Sequence, residues 1–174
     1  ALSSLIFLIV LFCGASLLAG EKEDFVTIGL GAPLTGDQAY VGTGVMYGAQ
    51  MAIEDANIQG PVFGNTRLKF TPLDDQRNPT QAVLAANKLS ADPNVMGVVG
   101  HFNSSCTKAA SSIYHETRLV QITPASTNPE ISRQGFDTFF RVCATDDVQG
   151  PAAADFIWKK LKMKKIVIVD DKTT

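Results

Sequence analysis

The stretch VMGVVGHFNSSCT, residues 95–107, decides the fold. Val95 to Gly100 carries no polar side chain to turn toward water, which fits a strand buried inside a parallel sheet. The run stops at Gly100. Within four residues Ser104 and Ser105 open a segment that reads as a helix to about Glu116. A buried strand feeding a helix through so short a loop is the repeating unit of an α/β protein.

The same alternation extends in both directions. FVTIGL (25–30) reads as a strand, and Gly44 to Asn57 as a helix with Val45, Ala49, Ala52, Ile53 and Ala56 on one face. RLKFTPL (67–73) is a second strand, and Asn78-Pro79 supplies an N-cap and a first-turn proline for a helix through Ser90. LVQIT (119–123) is a fourth strand, followed by the polar loop Pro124 to Glu130. The expected architecture is a doubly wound α/β fold, a parallel sheet covered on both faces, with residues 24–143 forming one lobe. Beyond Phe139-Phe-Arg-Val-Cys143, residues 144–151 read as a crossover, Ala152 to Lys162 as a helix and KIVIVD (165–170) as a strand. A strand with no helix to cover it predicts a second, similar lobe that starts in residues 152–174 and is cut off.

Composition sets the class. The 174 residues are 45% hydrophobic and 18% charged, with a net charge of -2, as expected of an ordinary globular protein. That balance gives no electrostatic footprint for nucleic acid, and the basic cluster Lys159 to Lys165 reads as the solvated end of a helix. Ala1 to Gly20 has no charge and ends in the small residues Ala19-Gly20, which predicts a cleaved export signal and a periplasmic protein. A retained anchor is the alternative, since the run is close to the ~18 apolar residues a spanning helix needs. The basic start and the initiating methionine expected of a signal are missing, which suggests a clipped N-terminus. Phe12 is too bulky before Cys13 for a lipid-attachment site. Cys106 and Cys143 remain, either paired or as two free thiols.

Ligands of open parallel sheets sit beyond the carboxyl ends of the strands. Two loops there are chemically unusual, His101 to Cys106 and Thr123 to Glu130, and sequential strands place them face to face. The first brings the hydroxyls and N–H groups of Ser104 and Ser105 to a helix N-terminus, which favours an anion such as a carboxylate or phosphate. Ser104 could equally be a plain N-cap. The second offers Thr127 between the stiffening Pro124 and Pro129. Tyr40, in a glycine-rich loop, either lines a pocket or packs on its own loop. No dinucleotide fingerprint or phosphate loop is present. Asp74-Asp75 lacks the companions of a metal site and reads as a solvated strand end. His101 and His115 lack a nucleophile at recognisable spacing, and His101 reads as structural. No cofactor or metal is expected.

Taken in order, IGLGAPLTGDQAYVG, GAQMAIEDAN, LDDQRNPTQAVLAANKL, VVGHFNSSCT, ITPASTNPE, FFRVCATDDVQGPAAADFI and KKIVIVDDKTT resemble the type I periplasmic binding proteins, in particular the leucine/isoleucine/valine-binding branch. The resemblance implies an extracytoplasmic, non-enzymatic component of an ABC importer, monomeric, with a membrane permease as partner and an amino acid held between two lobes. It also implies that Ser104 and Thr127 hold the ligand α-carboxylate, that the Ala125 carbonyl accepts from the α-ammonium, and that Phe102, Tyr40 and Val41 border the side-chain pocket, with Asn103, Ser105 and Ser126 beside them. Family members carry a disulfide between the loops that Arg77 and Asn103 occupy here, so this chain cannot form it and the Phe102 loop is expected to lose that brace. A short amide, urea or another amino acid is the alternative ligand. A tethered sensory domain and, more distantly, an α/β hydrolase or transferase are the alternative functions.

Overall fold

In the computed structural model, residues 24–169 are described. The segment 1–20 lies outside them. The strands are β1 (Asp24–Ala32), β2 (Thr66–Asp74), β3 (Val95–Gly100), β4 (Val120–Thr123) and β5 (Phe139–Arg141). The helices are α1 (Ala39–Gln59), α2 (Pro79–Ser90), α3 (Ser104–Glu116), α4 (Glu130–Arg133) and α5 (Asp146–Asp155), the last continued by a π-helical turn over Phe156–Lys160. All strands run parallel in the order β2-β1-β3-β4-β5.

Local chemistry explains the best-defined boundaries. The Asn78 side chain accepts hydrogen bonds from Thr80 N and Gln81 N, and Pro79 follows at the first helical position, so α2 starts where the sequence predicts. Its alanines Ala82, Ala85 and Ala86 are buried with Leu89, and small side chains let the helix lie close to the sheet. The main core lies on this side, where Ala86, Leu89, Val95, Val98, Ala110, Tyr114 and Leu119 pack between α2, α3 and the strands.

Four expectations are corrected. First, α1 begins at Ala39 rather than Gly44, so Tyr40 and Val41 stand on a helical first turn instead of a glycine-rich loop, and Ala52 is exposed. Second, the sheet is not covered on both faces throughout. One helix about 10 Å wide spans about two strands at about 4.8 Å spacing, and α1 lies on β1 and β2 only. Beyond it, Ile28, Gly97, Val120 and Ile122 line an apolar groove, and Phe140 is exposed beside it on the same face.

Third, the helix expected at Ala152 starts at Asp146, inside the supposed crossover. Asp146 and Asp147 in its first turn favour the positive end of the helix dipole, which outweighs the proline at 151 as a start signal. Fourth, residues 165–169 form no strand. Their Ile and Val side chains suit one, but a strand needs a neighbour for its N–H and C=O groups, and this segment pairs with none of the described strands. Residue 170 lies outside the described part.

Candidate functional site

The strand order places the reversal of winding between β1 and β3, and their C-terminal loops open a crevice at the sheet top. Two helices point their N-termini into it. Gln38 is the N-cap of α1 and Asn103 that of α3, yet neither side chain caps its own helix. Instead Asn103 Nδ2 donates to Gln38 Oε1 at 2.8 Å, tying the two loops together. The first-turn N–H groups of α3 are therefore left without a side-chain cap, and Ser104 is the first helical residue rather than the cap.

The β4–α4 loop closes over this end. Asn128 N donates to Ser104 Oγ at 3.3 Å, so the Ser104 and Thr127 loops do face each other. Among the described residues, no partner engages the Thr127 N–H, the Thr127 hydroxyl or the Ala125 carbonyl. Two donors and one acceptor thus stand unengaged in the loop that meets α3 at the Asn128–Ser104 contact. Ser126 differs from its neighbours: it is buried, and its hydroxyl bonds the His101 and Phe102 carbonyls at 3.1 and 3.0 Å. It holds the Phe102 loop in place. Phe102 and Ser105 are half-buried at the same corner, while Tyr40 is 79% exposed on α1 and Val41 half-buried beside it.

Beneath the corner lies a buried polar cluster. His101 Nδ1 sits 2.7 Å from Asp75 Oδ2 and its Nε2 3.3 Å from the Tyr114 hydroxyl, all three residues being fully buried. Asp75 also accepts from Arg77 N at 2.9 Å. His101 is structural, as expected, whereas Asp75 is an interior residue and not a solvated strand end. The His101 carbonyl receives hydroxyls from Thr107, Thr123 and Ser126. Burial, with the Asp75 charge adding to it, pushes the Tyr114 phenol upward. The same two causes push the Cys106 thiol up to about 12, against the Ser105 hydrogen bond and Arg77. Cys106 is thus an uncharged interior thiol, and both it and Cys143 are free.

Asp74 performs a second task that sequence reasoning missed. Its carboxylate accepts from Leu34 N at 2.8 Å, Gln76 N at 2.9 Å and the Thr35 hydroxyl, pinning the β1–α1 loop to β2. Arg77 reaches the same loop at Asp37, 3.1 Å away. The brace expected to be lost with the disulfide is therefore replaced by two polar ties to consecutive residues, Arg77 to Asp37 and Asn103 to Gln38.

Burial raises the Asp74 carboxyl, but the hydrogen bonds from the Thr35 side chain and from Gln76, Leu34 and Thr35 N–H outweigh it, so the group lies below its ordinary value. A depressed folded-state value contributes stability that is present above about pH 4 and lost as the pH falls below it. Urea unfolding at pH 7 and pH 3 checks this: wild type should lose more stability between the two than Asp74→Asn. Equal losses would show that the loop bonds are not formed in solution.

No helix among the described residues is long and apolar enough to cross a membrane, and no group of three or more metal-ligating side chains occurs among them. Arg141, missed by sequence reasoning, bonds the carbonyls on either side of Thr127. Its only signal in the sequence is a single charge within the apolar run Phe139-Phe-Arg-Val142.

The chain is 42% identical over 149 residues to an amino acid binding protein of Pseudomonas aeruginosa, covering 86% of this chain and 40% of that protein. It is 39% identical over 168 residues to the Leu/Ile/Val-binding protein homolog 1 of Brucella melitensis, covering 94% of this chain and 45% of the relative. It therefore spans less than half the length of these curated relatives. Among solved structures, the leucine binding protein LivK of Thermotoga maritima matches with a TM-score of 0.71 at 32% identity, over 79% of this chain and 38% of that one. The substrate binding protein LivJ of Streptococcus pneumoniae, solved with isoleucine, matches in fold with a TM-score of 0.75 at 24% identity, over 80% of this chain and 39% of that one. The model of the periplasmic binding protein family matches residues 26–174, from the first strand through the end of the chain. With that match spanning the sheet and both loops of the crevice, this chain belongs to the periplasmic binding protein family.

Proposed function

We propose that this chain is the first lobe of an extracytoplasmic substrate-binding protein that delivers a branched-chain amino acid to the membrane permease of an ABC importer. Residues 24–143 form the lobe, 144–151 lead out of it, and 152–174 begin a second one. The observation that carries this reading is the pair of N-cap residues, Gln38 and Asn103, that bond each other and leave the start of α3 open beside Ser104 and Thr127. A carboxylate there accepts from N–H groups and hydroxyls and lies at the positive end of a helix dipole. The Ala125 carbonyl is the complementary acceptor for an ammonium.

Turnover is not part of this reading. Among the described residues, His101 does not serve as a base for Ser104, since both its ring nitrogens are engaged with Asp75 and Tyr114 away from solvent. The names of the relatives at about 40% identity support a Leu, Ile or Val ligand.

Calorimetric titration of the full-length protein with leucine, isoleucine and valine tests the proposal, and no heat with any of the three would reject it. Hydrogen bonds to a charged group are worth about 1.5–3 kcal/mol, so Ser104→Ala should weaken binding roughly tenfold to a hundredfold. An unchanged affinity in that variant would remove Ser104 from the site.

A further inference from the structure

The loop that carries Thr127 is held by its carbonyls. Arg141 Nη1 donates to Ser126 O at 2.7 Å and to Asn128 O at 3.1 Å, while Nη2 donates to Asn128 O at 3.1 Å and to the Ser132 hydroxyl at 2.7 Å. The intervening carbonyl, Thr127 O, accepts from Asp146 N at 3.0 Å. Three consecutive carbonyls are thus turned toward β5 and α5. In a planar trans peptide the C=O and the following N–H point in opposite directions. One peptide of the loop demonstrates the result: Thr127 O faces Asp146, and the N–H of the same peptide, that of Asn128, points at Ser104 Oγ.

By the same geometry, fixing Ser126 O on Arg141 turns the Thr127 N–H away from β5, and that N–H has no partner among the described residues. A cation bonded to the oxygen of a peptide also polarises it, which strengthens the N–H as a donor. We propose that Arg141 is a positioning residue for the ligand carboxylate, acting through the Ser126–Thr127 peptide to aim and strengthen the Thr127 N–H. The inference rests on the reading of the Thr127 loop as a carboxylate contact. Lysine cannot substitute, because its single ammonium lacks the planar fork that spans Ser126, Asn128 and Ser132 together.

The test uses the full-length protein, with leucine and leucine amide as probes, the latter replacing the carboxylate by an uncharged group of similar shape. In Arg141→Lys the dissociation constant for leucine should rise roughly tenfold, and that for leucine amide by clearly less, so that discrimination between the two narrows. Ser132→Ala, which removes one anchor of the fork from an exposed position, should shift the ratio in the same direction by a smaller factor. A merely structural arginine would lower the melting temperature and weaken both ligands equally, and an unchanged ratio would overturn the proposal alone. A folded wild type that binds neither probe would overturn the carboxylate reading, and this inference with it.

Discussion

Replacing Gly42 with alanine is expected to push α1 off the end of β1 and to lower the unfolding free energy by about 3 kcal/mol, the upper part of the range for overpacking a closed interior. A Cβ at this position would lie 1.9 Å from the Pro33 carbonyl oxygen and 2.6 Å from its carbon. Those are backbone atoms of a fully buried residue, so no side-chain rotation relieves the contact. The helix must move instead. Because Tyr40 and Val41 stand one turn or less away, the displacement should also weaken binding of leucine. A urea melt gives the stability change as a lower midpoint at constant slope. Gly44→Ala and Gly48→Ala provide the contrast on the same helix, since nothing lies within 4 Å of either new Cβ. Those two should gain up to about 1 kcal/mol from helix propensity. A Gly42→Ala midpoint equal to theirs would show that the close approach to Pro33 does not persist in solution.

The second large effect is expected at Asp75. Removing one partner of a buried charged or hydrogen-bonded pair costs about 3–5 kcal/mol, because the other is left without its bond away from water. Asp75→Ala would leave the His101 Nδ1 position and the Arg77 N–H without their acceptor. His101 is also the residue whose main chain begins the Phe102 loop, so the loss should spread to the ligand corner. Asp75→Asn keeps the shape and one oxygen to accept from Arg77 N, and should cost less than half as much. Denaturant midpoints of the two variants check the order. Equal costs for Ala and Asn would mean that the bond to Arg77 N contributes little and that the charge facing His101, which both variants remove, alone matters.

Much of the fold was legible because it rests on short-range chemistry. β1 to β4 announce themselves as apolar runs, Asn78-Pro79 marks the start of α2, and Ser104 to Glu116 matches α3. What failed depended on partners distant in sequence. Gly42 and Gly44 made the start of α1 look like a loop, since glycine disfavours helix. The reason for glycine at 42 is the approach of Pro33, which no local pattern reveals. β5 has only three residues, too few to show alternation. The Ile-Val run after Lys165 has the propensity of a strand and no neighbour among the described residues to pair with.

The candidate site divides in the same way. Ser104 and Thr127 could be found from hydroxyls and prolines placed after strand ends. That Asn103 and not Ser104 is the cap residue could not, and neither could the reach of Asn103 to Gln38, 65 residues away. That the Ser126 hydroxyl bonds the main chain of the Phe102 loop could not be read from its position in the sequence. Arg141 looked like nothing at all, since the carbonyls it binds belong to residues that carry no mark of being bound.

The three hydroxyls on the His101 carbonyl also shape how this corner can drift over generations. A carbonyl oxygen offers two lone pairs, and here Thr107, Thr123 and Ser126 converge on it. The three are also tied to one another: the Thr107 and Ser126 hydroxyls lie 2.6 Å apart, Thr123 Oγ1 accepts from Ser126 N, and Ser126 also bonds the Phe102 carbonyl. The corner is in that sense interlocked. A substitution at one of the three strips a bond from another, so the trio is inherited as a unit for as long as the Phe102 loop stays where it is.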